Sequence, residues 1–272
     1  MARVLLSLLF GLLLAPAAWA QAQPSAEALF AATLHDFDDK PFALAQLRGK
    51  PLMQWALEAL LRAGVRELVV NTAWLGQQIE DHFAAQRLSD VRQQLSISEH
   101  IGLHFSSEGR DFGGALETAG GIVRALPLLA PGARDVFWVA AGDVFAPDFD
   151  FAADAVRRFV ASDRLAHLWL VPNPAHHPAG DFAIGADGLA QNDAPAGGRR
   201  HTFSTIALYR RALFEPPWCD IPAGNPQGVA APLAPLLRRA IAAGRVGAEL
   251  YQGPWTDVGT PERLAALNAG VS

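Results

Sequence analysis

The chain has 272 residues, of which 51% are hydrophobic, and a formal net charge of -5. This length suffices for one large domain or two small ones, and the mildly acidic balance argues against a nucleic-acid polymer bound through a basic face. The single cysteine, Cys219, excludes an internal disulfide and a paired-cysteine redox or zinc site.

Residues 1–20 have the pattern of a secretory signal peptide. Arg3 supplies a positive charge, an apolar run covers 4–14, and Ala18-Trp19-Ala20 is a small-x-small cleavage site. A buried N-terminal strand or helix is the alternative interpretation of this stretch. The apolar run is too short to predict a stable membrane span. The segment therefore predicts export.

Residues 21–48 resemble the lead-in of exported thioredoxin-like proteins. A predicted β-hairpin is followed by Gly49-Lys50-Pro51, after which such proteins carry a redox cysteine pair. Here no cysteine occurs before Cys219. Because thiol-disulfide exchange needs an attacking and a resolving thiol, that chemistry is excluded.

From residue 51 onward, the apolar periodicity predicts alternating helices and strands. Helices are predicted over 52–63, 75–83, 118–129, 152–161 and 232–243, and a last one is capped by Thr260 with Pro261 at its first position. Strands are predicted over 67–71, 103–106, 167–171, 181–184, 202–209 and 249–251, and in the apolar run from 136. This alternation predicts right-handed βαβ units and a Rossmann-like, mostly parallel sheet flanked by helices.

Three motifs combine glycines with carboxylates. Residues 113–121 are glycine-rich at a predicted helix start, where a ligand could approach the backbone and meet free N–H groups. The strand from 136 ends in Gly142-Asp143, and open α/β sheets bind their ligands at this carboxyl edge. Asp257 lies in the third motif, 255–263. Two aspartates on rigid elements predict a shared Mg²⁺, which prefers oxygen ligands.

The order of these motifs resembles that of the sugar-1-phosphate nucleotidyltransferases over about residues 49–272. Within that family, the chain is similar to the N-acetylmuramate α-1-phosphate uridylyltransferase subgroup, also described as mannose-1-phosphate guanylyltransferase-like. The matching stretches are 49–52, 71–76, 117–121, 142–144, 172–182, 202–204, 232–233 and 255–260.

The resemblance implies a fold, a reaction and a set of binding residues. The fold is of the nucleotide-diphospho-sugar transferase type. A nucleoside monophosphate, with UMP as the first choice, would pass from a nucleoside triphosphate to a sugar 1-phosphate such as N-acetylmuramate 1-phosphate, a step of peptidoglycan recycling in the cytoplasm. Mg²⁺ would be held by Asp143 and Asp257. The other implied contacts are Glu117, Thr118, Gly120 and Gly121 for the nucleotide and Asn173, Asp181 and Ser204 for the sugar phosphate.

The chain departs from the family pattern in two places. Family members open with a strand and a glycine-rich triphosphate loop, L-A-A-G-x-G-x-R-M-x-P-L-T, and no such stretch precedes Gly49. This predicts a missing first strand, an impaired activity, and a fusion of segments 1–20 and 21–48 to a domain over 49–272. The second departure is Ser204-Thr205-Ile206-Ala207, where the family pattern leads us to expect glycines near Thr205 and Ala207.

Two other hypotheses remain open at this point. One is an active transferase whose true N-terminus is obscured by a wrong join or start site. The other is an exported, non-catalytic binding protein. The base, the sugar and the oligomeric state are not determined by the residues. The adjacent His176 and His177 are not predicted to bind a metal, and His100 and His104 are interpreted as structural.

Overall fold

The computed structural model describes residues 3–7, 33–35, 41–43, 46–83, 85–131 and 135–270. Its helices are α1 (Leu52–Arg62), α2 (Gly76–His82), α3 (Ala85–Gln94), α4 (Glu108–Phe112), α5 (Glu117–Leu129), α6 (Ala153–Val160), α7 (Leu233–Ala242) and α8 (Pro261–Ala269). A short 3-10 helix covers Arg211–Phe214. Within the described ranges, none of these helices is long and apolar enough to cross a membrane.

The strands are shorter and more numerous than the helices. They are β1 (Arg3–Ser7), β2 (Thr33–His35), β3 (Pro41–Ala43), β4 (Gln46–Leu47), β5 (Lys50–Pro51), β6 (Glu67–Thr72), β7 (Gly102–Ser107), β8 (Val136–Ala141), β9 (Val144–Phe145), β10 (Ala166–Val171), β11 (Ala183–Ile184), β12 (Ala190–Gln191), β13 (Thr202–Arg210), β14 (Val246–Leu250) and β15 (Thr256–Asp257).

Seven of the strands form the central sheet in the order β14-β10-β13-β8-β1-β6-β7. All neighbours are parallel except at β13, which is antiparallel to both β8 and β10. The prediction of a mostly parallel α/β sheet is therefore confirmed. The carboxyl ends of β1, β6 and β8 meet at one edge of the sheet, where ligands bind in folds of this class.

The prediction that the first strand is missing is wrong. β1 lies between β6 and β8, with Leu5 opposite Val69 on one side and Val139 on the other. The error has a physical reason, because a short apolar run suits a parallel strand covered on both faces as well as a signal peptide. The predicted cleavage site at 18–20 lies outside the described residues, as does most of the lead-in over 21–48. Within that lead-in, β2 and β3 pair as an antiparallel hairpin.

Alternate residues of β6 and β8 face opposite layers of the core. Val69 and Phe137 pack in a cluster with α5 and α7, whereas Val70 and Trp138 pack in a second cluster with α1 and α6. Both faces of the sheet are therefore covered by helices, which explains why these strands consist of continuous apolar runs.

Most predicted elements occur within two or three residues of their predicted bounds. Gly64, at φ +89, follows the end of α1 as predicted. The Thr260 side chain accepts a hydrogen bond from the Arg263 backbone N–H, which confirms the predicted cap of α8. The sequence did not reveal α3 or α4. Their weak apolar periodicity resembles that of a loop, because α4 has only five residues and α3 is mostly polar.

Candidate active site

One short strand pairing and one backbone hydrogen bond bring Asp143 and Asp257 together at the carboxyl edge of the sheet. Asp143 lies in the turn between β8 and β9. β9 pairs antiparallel with β15, which places Val144 opposite Asp257. The Val258 backbone N–H also donates to the Asp143 carbonyl oxygen, with an N–O distance of 2.9 Å. Both aspartates are therefore held by backbone hydrogen bonds.

The electrostatics of Asp143 reflect this proximity. Its burial, and then the negative charge of Asp257, raise the pKa of Asp143 from its ordinary value of 3.8 to about 7, while the positive charge of Arg263 acts in the opposite direction. A carboxylate whose ionisation is disfavoured by burial and by a neighbouring carboxylate provides a site that a cation would stabilise.

The Asp257 side chain is oriented by three groups. The Gly259 backbone N–H donates to Oδ1 at 2.9 Å, and Arg263 Nη1 donates to Oδ2 at 2.6 Å. His176 Nε2 lies 3.4 Å from the same Oδ2. Because each carboxylate oxygen can accept two hydrogen bonds, Asp257 keeps acceptor capacity for a further ligand.

A cavity of about 340 Å³ opens beside these aspartates, and we call it the carboxylate cavity. Its lining residues are Ala141, Asp143, Val144, His176, His177, Thr202, Phe203, Thr205, Trp255 and Asp257. In the part of the chain that the structure describes, no group of three or more His, Cys, Asp or Glu side chains forms a metal site. A pair of carboxylates suits Mg²⁺, which commonly takes one or two carboxylates and completes its shell with substrate phosphate and water.

A second cavity of about 580 Å³ adjoins the first, and we call it the larger cavity. It is lined by Asn71, Ala73, Glu108, Ala115, Glu117, Thr118, Val139, Ala141, Asp181, Phe182, Phe203, Thr205, Tyr209, Ala230, Pro232, Leu233, Ala234, Leu237 and Arg238. Three residues, Ala141, Phe203 and Thr205, line both cavities. The two cavities therefore belong to one continuous site.

Two of the predicted nucleotide residues, Glu117 and Thr118, line the larger cavity at the start of α5. The N–H groups of this helix start are less available than predicted. Those of Ala119 and Gly120 both donate to the Ala231 carbonyl oxygen, with N–O distances of 2.9 and 3.1 Å. These two backbone N–H groups are therefore engaged within the protein, whereas Glu117 and Thr118 line the cavity.

The other two predicted nucleotide residues, Gly120 and Gly121, are not among the residues that line either cavity. A Cβ at Gly120 would lie 2.5 Å from the Val229 carbonyl oxygen. A Cβ at Gly121 would lie 2.5 Å from Glu108 Oε1 and 2.6 Å from Asn71 Nδ2. Protein atoms therefore occupy the space beside both glycines. The close approach that we predicted for a ligand is made here by the protein itself.

Asn71 and Glu108 are site residues to which the sequence analysis gave no role. Both are buried, and both line the larger cavity. Glu108 accepts a hydrogen bond from the Leu116 backbone N–H at 2.8 Å, and burial raises the pKa of the Glu108 carboxyl. Neither amide atom of Asn71 has a hydrogen-bond partner among the described residues. The available signal was the position of Asn71, a polar residue at the carboxyl end of an otherwise apolar strand.

Of the three predicted sugar-phosphate residues, Asp181 alone lines a cavity in the described structure. Its Oδ2 accepts from the Phe203 backbone N–H at 2.8 Å, and its Oδ1 lies 3.2 Å from His177 Nε2. Asp181 thereby connects the walls of the two cavities.

The remaining two, Asn173 and Ser204, make hydrogen bonds within the protein. Asn173 Oδ1 accepts from the Thr202 hydroxyl at 3.0 Å, and its Nδ2 donates to two loop carbonyls. Ser204 is fully buried, and its hydroxyl donates to the Trp169 carbonyl oxygen at 2.6 Å and accepts from the Ile206 backbone N–H. These contacts shape the loops around the site.

Thr205 lies where the two cavities meet. Its φ is +65°, in the left-handed region that favours glycine and disfavours a β-branched side chain. The pairing of β10 with β13 shifts register at this point, as in a β-bulge. The Thr205 backbone therefore has the left-handed conformation that favours the glycine expected at this position. Ala207, where a glycine was also expected, does not have a positive φ. The Thr205 side chain narrows the junction.

His176 and His177 line the carboxylate cavity but contact different carboxylates, Asp257 and Asp181. The two imidazoles therefore do not converge on one point. His104 contacts Glu67 on the surface, at 3.4 Å.

Comparison with known proteins identifies relatives by sequence. The chain is 38% identical over 233 residues to the N-acetylmuramate alpha-1-phosphate uridylyltransferase of Neisseria meningitidis serogroup B, a match that covers 85% of this chain and 90% of that protein. A protein of the same name from Caulobacter vibrioides is 29% identical over 237 residues, covering 85% and 88% of the two chains. No protein-family model matches the chain.

Solved structures share the fold at low sequence identity. HddC from Yersinia pseudotuberculosis, complexed with GMP-PN, has a TM-score of 0.63 at 15% identity, with 100% of both chains covered. UDP-glucose pyrophosphorylase from Acinetobacter baumanii has a TM-score of 0.62 at 13% identity, covering 99% of this chain and 93% of that one.

Proposed function

Because the chain belongs to the N-acetylmuramate alpha-1-phosphate uridylyltransferase family of sugar-1-phosphate nucleotidyltransferases, we propose that it transfers UMP from UTP to N-acetylmuramate 1-phosphate and releases pyrophosphate. The observation that carries this proposal is the proximity of Asp143 to Asp257, which the pairing of β9 with β15 sets beside two adjoining cavities. The carboxylate cavity would hold the reacting phosphates. The larger cavity would hold the base and the sugar.

Asp143 and Asp257 are the residues that would hold Mg²⁺. When bound, the ion supplies positive charge to the phosphate oxygens, which repel an incoming phosphate nucleophile. The contribution of the protein is to fix the two carboxylates through the pairing of β9 with β15, so that little reorganisation is needed when the substrates bind.

In the reaction, an oxygen of the sugar phosphate attacks the α-phosphorus of UTP in line. A new P–O bond forms as the bond to pyrophosphate breaks, and its electron pair leaves with the pyrophosphate oxygen. Positioning of both substrates is the main role of the protein. Glu117, Thr118 and the unpaired amide of Asn71 are suited to the base, and Asp181 is suited to the sugar.

Transfer is expected to be slow. The family's glycine-rich loop would surround the triphosphate with backbone N–H groups, and no such loop occurs upstream of Gly49. Gly120 and Gly121 do not replace it, because protein groups occupy the space beside both of them. Charge on the β- and γ-phosphates is therefore less well neutralised.

The cytoplasm is the proposed location, because nucleoside triphosphates are found there. The alternative, an exported binding protein, is disfavoured by the position of β1. Cleavage after Ala20 would remove this strand from the middle of the sheet.

Pyrophosphate release tests the proposal. The purified full chain is supplied with MgCl₂, N-acetylmuramate 1-phosphate and either UTP or GTP. We expect release with UTP that falls about 100-fold or more in Asp143→Asn, as when a group that stabilises developing charge is removed. Asp163→Asn is the matched control, because that side chain is 86% exposed. Release that Asp143→Asn leaves unchanged would contradict the proposed function. A turnover near 10 per second, ordinary for enzymes, would contradict the expected slow rate.

A further inference from the structure

The larger cavity has an apolar wall with a single cation at its rim. Phe182, Phe203, Leu233 and Leu237 contribute apolar surface. Arg238 is the one cationic side chain among the residues that line this cavity in the described structure. It lies on α7, where Leu233, Ala234, Leu237 and Arg238 follow the spacing of one helix face.

The Arg238 guanidinium is positioned without being neutralised. It stacks over the Phe182 ring, 5.3 Å from the ring centre, a contact that restricts the side chain. Arg238 takes part in no ion pair with any residue that the structure describes. Its neighbour Arg239 differs, because the Arg239 guanidinium donates to the Trp218 carbonyl oxygen and does not line the cavity.

Two of the three carboxylates that line the larger cavity have other partners. Asp181 is engaged by His177 and by the Phe203 backbone N–H. Glu108 accepts from Leu116 and is buried, and Glu117 is exposed at the start of α5. Arg238 therefore remains available to an anionic group that a ligand brings into the cavity.

N-acetylmuramate differs from N-acetylglucosamine by a lactyl ether that ends in a carboxylate. An apolar wall suits the lactyl and acetamido methyl groups, and a planar guanidinium suits a carboxylate. We propose that Arg238 binds the lactyl carboxylate and thereby makes the larger cavity selective for acidic sugar 1-phosphates. This inference rests on the proposed function, because it assumes that the acceptor sugar enters the larger cavity.

Calorimetric binding to the full chain tests this inference without requiring turnover. N-acetylmuramate 1-phosphate and N-acetylglucosamine 1-phosphate are titrated into wild type, Arg238→Gln, Arg238→Lys and Arg239→Gln. We expect Arg238→Gln to weaken binding of the muramate ligand by about 10- to 100-fold, the usual loss for a hydrogen bond to a charged group, and to change the glucosamine ligand less than about 3-fold. Arg238→Lys should recover part of the loss, and Arg239→Gln should match wild type.

Three outcomes would overturn the inference. They are equal losses for both ligands, unchanged muramate binding in Arg238→Gln, and no binding of either ligand to wild type. The proposed function fails in a different way. If wild type binds the muramate ligand selectively but releases no pyrophosphate, the role of Arg238 stands and the transferase activity is rejected. If pyrophosphate is released but Arg238→Gln has the same ligand selectivity as wild type, the transferase activity stands and the role of Arg238 is rejected.

Discussion

The carboxylate cavity and the larger cavity are assembled in different ways. The charged groups of the carboxylate cavity come mainly from two strand ends that pair directly, β9 and β15. The larger cavity collects residues from the start of α5, one face of α7 and the bulged part of β13. The first depends on one short strand pairing between residues more than one hundred positions apart and brings two carboxylates together. The second depends on the packing of several elements, which sets its shape.

Both cavities depend on β1, so the largest effect is expected there. Ser7 pairs with Asn71 on one side and Ala141 on the other, and both of these neighbours line the larger cavity. Leu5→Pro removes a backbone donor from the hydrogen-bond ladder of a central strand, a position where proline is essentially not found. We expect loss of cooperative unfolding in urea, followed by circular dichroism.

The matched control is Leu5→Val, which keeps the backbone donor and a side chain suited to a strand. Leu5→Val should unfold cooperatively, as wild type does. A Leu5→Pro variant as stable as Leu5→Val would contradict the central position of β1 and with it the common support of the two cavities.

Asp143→Asn is expected to affect the carboxylate cavity alone and to stabilise the metal-free protein. The pKa of Asp143 is raised to about 7 in the folded state, so between pH 3.8 and 7 the folded chain keeps a proton that the unfolded chain has lost. Wild-type stability therefore falls as the pH rises through this window, by about 4 kcal/mol in total.

The variant has no such titration, and its advantage in free energy of unfolding should grow from pH 4 to pH 7 and then level off. Urea unfolding of both proteins in EDTA at several pH values measures this difference. If the difference in free energy of unfolding between the two proteins is independent of pH, then burial and the charge of Asp257 do not raise the pKa of Asp143. Asp163→Asn should show little change at any pH.

Gly121→Ala is expected to disturb the larger cavity alone. The added Cβ would lie 2.5 Å from Glu108 Oε1 and 2.6 Å from Asn71 Nδ2, and both of these side chains are buried. Overpacking of this kind costs about 1–3 kcal/mol. We also expect a raised KM for UTP with little change in Mg²⁺ dependence. At Gly114 an added Cβ meets nothing within 4 Å, so Gly114→Ala serves as the control. Equal effects of the two substitutions would argue against tight packing at Gly121.

Thr205→Gly is expected to have the smallest effect on stability, at the junction of the cavities. Relief of the left-handed conformation should stabilise the fold by about 1 kcal/mol or less, since glycine also loses entropy on folding. The wider junction should change KM for the sugar phosphate. Ser96→Gly relieves a similar conformation, φ +54°, at an exposed site, and should leave KM unchanged. A Thr205→Gly variant destabilised by more than about 1 kcal/mol would contradict the strain at this residue.

The sequence predicted that Asp143 and Asp257 lie together better than it predicted the walls of the cavities. Asp143 directly follows the apolar run from 136, and the carboxyl-edge rule predicts a cavity beside such a residue, whereas Asp257 was named from its motif over 255–263. Gly120, Gly121, Asn173 and Ser204 were assigned to ligands by resemblance, yet their neighbours in the fold are protein groups. Which partner fills the space beside a glycine or an amide depends on tertiary packing, which spacing along the chain does not encode.

The same limit explains the error at the N-terminus. The apolar run over 4–14 satisfies the requirements of a signal peptide and, in its first residues, those of a buried parallel strand. Composition does not separate these two roles. The pairing of β1 with both β6 and β8 does, because it requires partners that lie more than sixty and one hundred and thirty residues away.

The most direct measurement for the central proposal is a double-mutant cycle on pyrophosphate release with Asp143→Asn, Asp257→Asn and the combined variant. If both carboxylates hold one Mg²⁺, either single substitution removes the site, and the combined variant should be no slower than the slower single variant. Losses that multiply in the combined variant, or that are absent from either single variant, would contradict a shared metal site formed by Asp143 and Asp257.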